Sequence, residues 1–360
     1  HRPLRRVRRH PMSLTARLGR HSTAASVALL ALVAYVPALA SSPGRMPADT
    51  KLYLYLDPAG LVGRAASTFE PDQFAGWVPH QQITYLWPSG PWFLLFDTIG
   101  LPDWIAHRLW IGTIMFLAGV GMSWASRLLG LSALGAVVAA VVYQTSPFIL
   151  PYVSRTSLLL LPWAGLGWIV ALTVRATRPG RSDLETPHWR RRLEPWRDPA
   201  LIALVVATVG SANATTLAMI VPAPVIWIVH TTWQGQISWR RALGVTVRIA
   251  VLCVVVSVWW IAMLVVQGRY GAPVLDYSET LEDVSRNATG SEVVRGLGYW
   301  LFYQRDAFGP TTTASIDHLV SLRTIAVSYA VIIVGLIGLA VTSWRQRRFA
   351  AMCLAAGIEP

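Results

Sequence analysis

Long apolar segments, separated by short arginine-bearing segments, are the feature that most constrains how this chain can fold. A helix needs roughly 20 mainly apolar residues to cross a bilayer, and several windows reach that length. Charged residues make up only 14% of the chain, against about 25% in soluble domains. We therefore predict an all-α polytopic membrane protein with spans at 23–41, 103–126, 131–150, 157–174, 199–212, 214–233, 241–267 and 323–344, and a ninth span beginning near residue 349.

The formal net charge of +13 is concentrated in a few short segments. Residues 1–20 contain seven arginines and no acid, residues 175–198 contain seven arginines and four acids, and residues 345–348 read RQRR. Positive charge on alternate loops is typical of the cytoplasmic side of a membrane protein. This distribution argues against nucleic-acid binding and favours anionic membrane lipids as partners of the arginines.

The same rule assigns a side to each loop of a plasma-membrane protein. We expect a basic cytoplasmic N-terminus over 1–22, and a membrane domain over 23–360 that is truncated at its C-terminal end, because the chain stops inside an apolar run. The cytoplasmic side also holds Arg127, 175–198, 234–241 and 345–348, and the outer side holds 42–102, 151–156 and 268–322. A signal peptide is the alternative for the N-terminus, but its apolar stretch is long for a signal and further spans follow.

The segment from Pro199 to Trp233 is too short for two full spans and a turn. One tilted helix would place Arg240 and Arg241 outside, whereas a short hairpin keeps them inside, so we predict the hairpin. Its polar turn, VGSANATT, either lines a cavity or supplies interhelical hydrogen bonds. The sequence leaves these two roles equally open.

The first outer loop, 42–102, contains two patterns that predict short helices lying along the membrane surface. DPAGLVGRAASTF begins with Asp57 followed by Pro58, a favoured start for a helix. PSGPWFLLFDTIGLP reads as an amphipathic helix that Gly100 and Pro102 terminate. Tryptophans in this loop suit the headgroup layer.

Asp49 and Lys51 lie shortly after the first span, and Lys51 is the only lysine in the chain. A carboxylate that is partly desolvated at a membrane cavity has a raised pKa and can accept a proton from a hydroxyl. Lys51 would oppose that rise, or could hold a phosphate. Asp49 as a solvated loop acid that caps a turn is the competing interpretation.

Further candidates for substrate binding are charged residues of the outer loops. Asp57 fits a helix N-cap better than a catalyst. For His107 and Arg108, at the start of a span, the default role is to extend to the membrane interface. Possible phosphate or rim contacts are Arg64, His80, Arg108, Arg155 and Arg269.

No soluble-enzyme motif of the P-loop, GxGxxG, HExxH or GxSxG type is present. The outer loops contain no Asp-x-Asp pair, so no tightly bound metal is predicted, although isolated acids could recruit a divalent cation weakly. Cys253 and Cys353 both lie in apolar segments and form no metal-binding motif.

The motifs ADTK, LDPAGLVGRA, FEPDQFAGWVPHQQITYLWPSGPWF, YQTSPFILPYVSRTS and SANATT extend over most of the chain. They resemble the mycobacterial α-(1→3)-arabinofuranosyltransferases, a family of C-class membrane glycosyltransferases. The resemblance implies a helical bundle with catalysis on the outer, periplasmic face. It also implies transfer, with inversion, from decaprenylphosphoryl arabinofuranose to the arabinan of arabinogalactan or lipoarabinomannan.

Within that resemblance, Asp49 occupies the position of the loop acid that serves as general base, and Lys51 is assigned to the donor phosphate. Family members are longer and carry β-rich carbohydrate-binding modules after the helices. Two other functional classes remain open from the residues alone: a transporter or flippase of lipid-linked sugars, and a noncatalytic scaffold. A transporter should carry ionisable groups or broken helices near the membrane midplane, and here only the VGSANATT break fits that description.

Overall fold

The computed structural model describes residues 14–47, 53–71, 75–78, 85–153, 156–178, 188–212, 214–273, 280, 282, 285–286, 289–297, 305–306, 309–310 and 313–358. Within these, the fold is almost wholly helical, and six helical segments are long and apolar enough to cross a membrane. They are Thr23–Ala40, Asp103–Leu128, Ser157–Thr177, Ala214–Trp233, Trp239–Tyr270 and Leu322–Val341. The predicted all-α polytopic class is therefore confirmed.

The helices, numbered along the described chain, fall into long membrane helices and short surface helices. The first half contains α1 (Leu14–Ala40), α2 (Tyr53–Leu56), α3 (Pro58–Gly63), α4 (Ser89–Thr98), α5 (Asp103–Leu128), α6 (Ala133–Gln144), α7 (Leu150–Val153) and α8 (Leu160–Thr177). The second half contains α9 (His188–Val209), α10 (Ala214–Ile220), α11 (Pro222–Trp233), α12 (Trp239–Tyr270), α13 (Gly290–Val293), α14 (Thr313–Val320), α15 (Leu322–Val341) and α16 (Arg347–Ile358). Short 3₁₀ turns at Pro147–Ile149 and Ser157–Leu159 flank α7. Two strands of two residues each, β1 (Arg305–Asp306) and β2 (Gly309–Pro310), pair in an antiparallel manner.

The pair α5 and α8 forms the centre of the bundle, and two glycines let their backbones touch. A methyl group added at Gly167 would lie 2.5 Å from the backbone carbonyl carbon of Gly121 and 2.5 Å from the backbone nitrogen of Met122. The indole of Trp168 closes over this contact and donates a hydrogen bond to the carbonyl of Leu117 at 2.9 Å. Because lipid gives helices little hydrophobic reason to associate, small residues that permit such close packing carry much of the stability.

Helices α1 and α6 complete this half of the bundle around α5. Tyr35 of α1 covers Gly112, and its hydroxyl lies 2.9 Å from the Thr113 hydroxyl. Gln144, which is fully buried at the end of α6, donates a hydrogen bond to the carbonyl of Leu30 at 2.9 Å. These polar contacts fix the register of helices whose remaining surfaces are apolar.

One end of the bundle, which we call the basic end, holds the arginines at the end of α8 and at the start of α12. Arg178 donates a hydrogen bond to the carbonyl of Leu128 at 2.6 Å, and Arg241 donates to the carbonyl of Arg178. Arg175 forms an ion pair with Asp198 at 2.6 Å. The segments 175–198 and 234–241, both assigned to one side by the charge pattern, therefore meet at one end of the bundle.

The opposite end, which we call the loop end, holds the described parts of segments 42–102, 151–156 and 268–322. The guanidinium of Arg108 donates a hydrogen bond to the carbonyl of Arg45 at 3.2 Å, and Trp110 donates to the Ser157 hydroxyl at 3.1 Å. The segments predicted to share the outer side therefore share an end of the bundle.

The segment from 199 to 233 forms the predicted hairpin. Ser211, in the turn after α9, donates a hydrogen bond to the carbonyl of Trp87 at the loop end, at 2.7 Å. The chain then returns through α10 and α11, and Trp227 donates to the Thr177 hydroxyl at the basic end, at 2.9 Å. The alternative of one tilted helix is excluded, and Ser211 bonds the turn of the hairpin to the first outer loop.

Three predicted boundaries need correction. In the span expected at 131–150, the long α-helix is α6, whose 12 residues extend about 18 Å. The chain then continues through the 3₁₀ turn Pro147–Ile149 and the short helix α7. Helix α9 begins at His188 rather than Pro199 and contains both Pro195 and Pro199, because its packing against α8 and α12 offsets the lost backbone hydrogen bonds. The ninth span, expected to begin near residue 349, corresponds to α16, which begins at Arg347, is 12 residues long and packs against α11.

The close contact of α5 and α8 gives a direct stability test with a matched control. Gly167→Ala should lower the free energy of unfolding by about 1–3 kcal/mol, because the new methyl group overlaps backbone atoms that cannot yield. Gly335→Ala is the control, since nothing lies within 4 Å of a methyl group added there. Thermal unfolding in detergent should show a lower midpoint for Gly167→Ala and no decrease for Gly335→Ala, and equal midpoints for the two variants would refute the packing argument.

Candidate active site at the loop end

The short helices of the first outer loop pack onto the start of α5 through an aromatic cluster. Tyr55 meets Phe93 edge to face with 4.8 Å between ring centroids, and Trp92 meets Trp110 at 5.5 Å. Tyr55, Phe93 and Trp110 are all buried. This cluster fixes the loop-end helices against the membrane bundle, so the segments between them are held over its surface.

Helix α3 begins as the sequence predicts. The carboxylate of Asp57 accepts a hydrogen bond from the backbone nitrogen of Gly60 at 2.8 Å, and Pro58 occupies the first turn. A side chain at Gly60 would overlap the Asp57 carboxylate, so the glycine is what allows the cap to close. Asp57 is thus an N-cap in the structure, and any contact with substrate stays a prediction.

Arg64, which ends α3, forms an ion pair with Glu70 at 3.2 Å. The side chain of Glu70 is buried, and that of Arg64 is partly exposed. Glu70 also exchanges two backbone hydrogen bonds with Trp77, which closes the turn between them. The ion pair connects α3 to this turn, while a role of Arg64 in substrate binding stays a prediction.

His107 and Arg108 do not extend to the membrane interface, contrary to their predicted default role. His107 is 0% exposed and Arg108 is 8% exposed, because the loop-end helices fold over the first turns of α5. Arg108 contacts the carbonyl of Arg45 and approaches Nδ1 of His107 at 3.4 Å. Its Nε has no hydrogen-bond partner among the described residues, and no carboxylate of the described chain forms an ion pair with it.

Asp49 and Lys51 lie outside the described residues, but both flanks of their segment contact the start of α5. On one side, Arg45 accepts the hydrogen bond from Arg108. On the other side, the ring of Tyr55 lies 6.2 Å from the ring of His107. Before the undescribed residues the chain therefore contacts Arg108, and after them it contacts the neighbouring His107.

Of the remaining predicted residues, only Arg269 is described by the structure. His80 and Arg155 lie outside the described residues. Arg269 is exposed in the last turn of α12, and a methyl group added at nearby Gly271 would lie 3.4 Å from the carbonyl of Val78. The end of α12 is therefore adjacent to the first outer loop, although the side chain of Arg269 points to no described partner.

A second buried arginine at the loop end, Arg295, is absent from the sequence-based candidates. It is 6% exposed and donates hydrogen bonds to the Ser328 hydroxyl and to the carbonyl of His318, both at 2.8 Å. The face of Tyr329 lies 5.6 Å from its guanidinium carbon. Burial lowers the pKa of His318, and the positive charge of Arg295 lowers that pKa further. The hydropathy of the sequence does not predict that Arg295 is buried, because its burial arises from contacts between α13, α14 and α15.

Two buried guanidinium groups at the loop end, Arg108 and Arg295, are bonded to neutral oxygens in the described structure. A buried cation of this kind favours a nearby anion, because charge-assisted hydrogen bonds offset the cost of desolvation. The described residues contain no group of three or more His, Cys, Asp or Glu that could hold a metal ion. Arg108 and Arg295 thus contribute buried positive charge to this end, and Asp49 is the nearest acid along the chain to Arg45.

The six apolar spans and the layer of short helices over one end define a multi-pass helical membrane protein with a polar site at the surface of its bundle. Residues 33–359 match the family described as alpha-(1->3)-arabinofuranosyltransferase, N-terminal GT-C domain. The chain belongs to this glycosyltransferase family, as the resemblance of its motifs predicted.

Curated relatives and a solved structure agree with this assignment. The chain is 27% identical over 322 residues to the alpha-(1->3)-arabinofuranosyltransferase of Mycolicibacterium smegmatis, covering 89% of this chain and 21% of that protein. It is 28% identical over 311 residues to the enzyme of the same name from Mycobacterium tuberculosis, covering 85% of this chain and 21% of that protein. The cryo-EM structure of arabinofuranosyltransferase AftD from mycobacteria has a TM-score of 0.62 at 25% identity, covering 94% of this chain and 26% of that one. The chain thus spans about a fifth of the length of its curated relatives.

The cap at Asp57 can be tested by two substitutions at one position. Asp57→Asn keeps an oxygen that can accept from Gly60, whereas Asp57→Ala removes it and should cost about 1 kcal/mol. We expect the Asn variant to unfold with the parent, and the Ala variant to unfold about 1–2 °C lower, because 1 kcal/mol shifts the midpoint of a long chain only slightly. A parent-like midpoint for the Ala variant would contradict the capping role.

Proposed function

We propose that this chain forms the membrane glycosyltransferase domain of an enzyme that transfers arabinofuranose from decaprenylphosphoryl arabinose to cell-wall arabinan, with inversion, on the periplasmic face. The observation that carries the proposal is the buried Arg108, which has no carboxylate partner in the described chain and lies beside Arg45, four residues before Asp49. Membership of the arabinofuranosyltransferase family supports the same reaction.

In this mechanism Asp49 is the general base. Its carboxylate takes the proton of the acceptor hydroxyl as the acceptor oxygen forms a bond to the anomeric carbon, from the face opposite the phosphate. The bond between the anomeric carbon and the phosphate oxygen breaks, and its electron pair leaves with decaprenyl phosphate. A β-linked donor gives an α-linked product by this single displacement, through an oxocarbenium-like transition state.

Arg108 and Lys51 hold the departing phosphate. Two cations beside the leaving group stabilise the negative charge that develops there, so the phosphate needs no proton. Arg108 suits this role because its guanidinium is fixed by packing under the loop-end helices and can bind two phosphate oxygens at once. Lys51, nearer to Asp49 along the chain, supplies a more mobile point charge.

The lipid tail of the donor needs an apolar path within the membrane. An apolar cleft of about 420 Å³ runs between α8, α9, α10, α11 and α12, and Leu217, Ile249, Cys253 and Ile261 are among its lining residues. Its walls are almost entirely carbon, which suits a prenyl chain. This cleft supports a lipid-linked donor over a soluble sugar nucleotide.

A transporter of lipid-linked sugars is less well supported. The polar segment between α9 and α10 was the sequence feature that favoured a transporter. In the structure Ser211 of that segment donates a hydrogen bond to Trp87 of the first outer loop, so this group has a structural partner. Except for Arg248, whose guanidinium turns back toward the basic end, the charged groups of the described spans lie near helix ends rather than at the midplane where a transported substrate is bound.

Replacing the proposed base gives the most direct test of the reaction. Asp49→Asn in the full-length protein should reduce transfer of radiolabelled arabinose from its lipid-phosphate donor by about 10²–10⁴-fold, the usual contribution of a general base. Asp97→Asn, which alters an exposed acid of α4 in the same loop, is the matched control and should transfer at the parental rate. Parental activity of Asp49→Asn would remove Asp49 from the mechanism.

The proposed phosphate contacts should affect the donor more than the acceptor. Arg108→Gln and Lys51→Ala should each raise the KM for the donor by about 10–100-fold, since a hydrogen bond to a charged group contributes about 1.5–3 kcal/mol. Arg127→Gln, at the other end of α5 and exposed, is the control and should leave the KM unchanged. If Arg108→Gln folds normally and keeps the parental donor KM, Arg108 does not bind the phosphate.

A further inference from the structure

A cleft of about 480 Å³ opens at the basic end, far from the loop-end site, between the ends of α8, α9 and α12. Its volume is in the usual range for ligand sites. Five arginines line it, contributed by all three helices and by the residue that follows α8: Arg175, Arg178, Arg197, Arg241 and Arg248. The glycosyltransferase reaction proposed above uses none of them.

The cleft has an excess of positive charge that its own acids do not neutralise. Glu194 and Asp198 are the two acids of the lining, which leaves a formal charge of +3. Within the described chain, Arg175 alone among the five arginines forms an ion pair, with Asp198. Arg178 and Arg241 donate to backbone carbonyls, and such contacts satisfy N–H groups without cancelling charge.

Arg248 is the most informative of the five because it lies within the longest apolar helix. It is the tenth residue of α12 and is half-buried. Its guanidinium turns back toward the basic end, donates to the carbonyl of Gly244 at 3.1 Å and lies 5.5 Å from the ring of Trp196. An arginine kept inside a membrane helix without a carboxylate partner is costly and usually marks a binding site.

Neighbouring residues place the cleft at the membrane interface. Trp233 and Trp239, on either side of the turn before α12, are 70% and 61% exposed, as expected for indoles in the headgroup layer. Beyond Arg248, toward the membrane centre, Val251 and Val255 continue the same stripe of α12 at helical spacing and are 50% and 62% exposed. A phosphate in the cleft would thus have apolar surface immediately below it.

We propose that this cleft binds the phosphate of an anionic phospholipid from the cytoplasmic leaflet, with the acyl chains lying along the exposed valines of α12. Arginine binds phosphate through paired hydrogen bonds, and basic pockets between membrane helices on this side recognise acidic headgroups. A free phosphate would satisfy the arginines but would make no use of the apolar stripe.

The test is a lipid titration of the full-length protein purified in a neutral detergent. Mixed micelles containing phosphatidylglycerol, mixed micelles containing phosphatidylcholine, and inorganic phosphate are compared by the shift in Tm and by lipid retained in native mass spectrometry. Phosphatidylglycerol should raise the Tm and remain bound, since a ligand that binds only the folded state stabilises it. Phosphatidylcholine and inorganic phosphate should have little effect.

Variants then locate the site. The double variant Arg241→Gln with Arg248→Gln should need at least tenfold more phosphatidylglycerol for the same shift, and Arg241→Gln alone, at an exposed position, should show a smaller loss in the same direction. Arg240→Gln, the adjacent exposed arginine outside the cleft, should behave as the parent.

Three results would overturn the proposal. Equal losses in Arg240→Gln and Arg241→Gln would indicate general surface charge rather than a site. Equal shifts with phosphatidylcholine would exclude recognition of the acidic headgroup. An equal shift with inorganic phosphate would show that the cleft binds a free anion and not a lipid.

Discussion

The backbone contact between α5 and α8 is the constraint on which the rest of the molecule depends. Gly121 and Gly167 allow the two helices to approach more closely than any side chain would permit. The same pair sets the positions of both polar ends. Trp110, in the third turn of α5, bonds to Ser157 just before α8 at the loop end, and Arg178, just after α8, bonds to Leu128 at the end of α5. In a bilayer, where apolar surface alone gives no reason to associate, such contacts decide which helices are neighbours.

The polar chemistry of the protein is concentrated at the two ends of this bundle. At the loop end, Arg108 is buried and contacts Arg45, which precedes Asp49 and Lys51 in the chain. At the basic end, arginines from three elements surround an open cleft. A buried or half-buried guanidinium cannot lose its proton to escape the cost of desolvation, so each end favours an anion. The lipid phosphate of a sugar donor suits the first end, and a phospholipid headgroup suits the second.

Much of the architecture could be predicted because it depends on local patterns. The length of the apolar segments predicts the spans, arginines on alternate loops predict which loops meet, and the pair Asp57 and Pro58 predicts the start of α3. The end of α4 follows from Gly100, whose φ of +72° is a conformation that side chains rarely adopt.

The features that could not be predicted all depend on contacts between distant parts of the chain. Arg108 looks like an interfacial residue at the start of a span, and only the fold of the first outer loop, whose Arg45 carbonyl it contacts, makes it buried. Pro195 and Pro199 suggest a helix start, yet α9 continues through them because neighbouring helices hold it in place. Arg295 is surrounded by groups about 20 to 35 residues away in the chain, which no local pattern reveals.

The central claim is that the segment with Asp49 and Lys51 lies on the outer face of the membrane, opposite the basic end. Cysteine labelling tests it most directly, in a full-length protein whose Cys253 and Cys353 are replaced by serine. With a membrane-impermeant maleimide applied to intact cells, Lys51→Cys should be labelled, whereas Gln234→Cys, in an exposed turn at the basic end, should be labelled only after permeabilisation. Labelling of Gln234→Cys from outside, with protection of Lys51→Cys, would contradict the account.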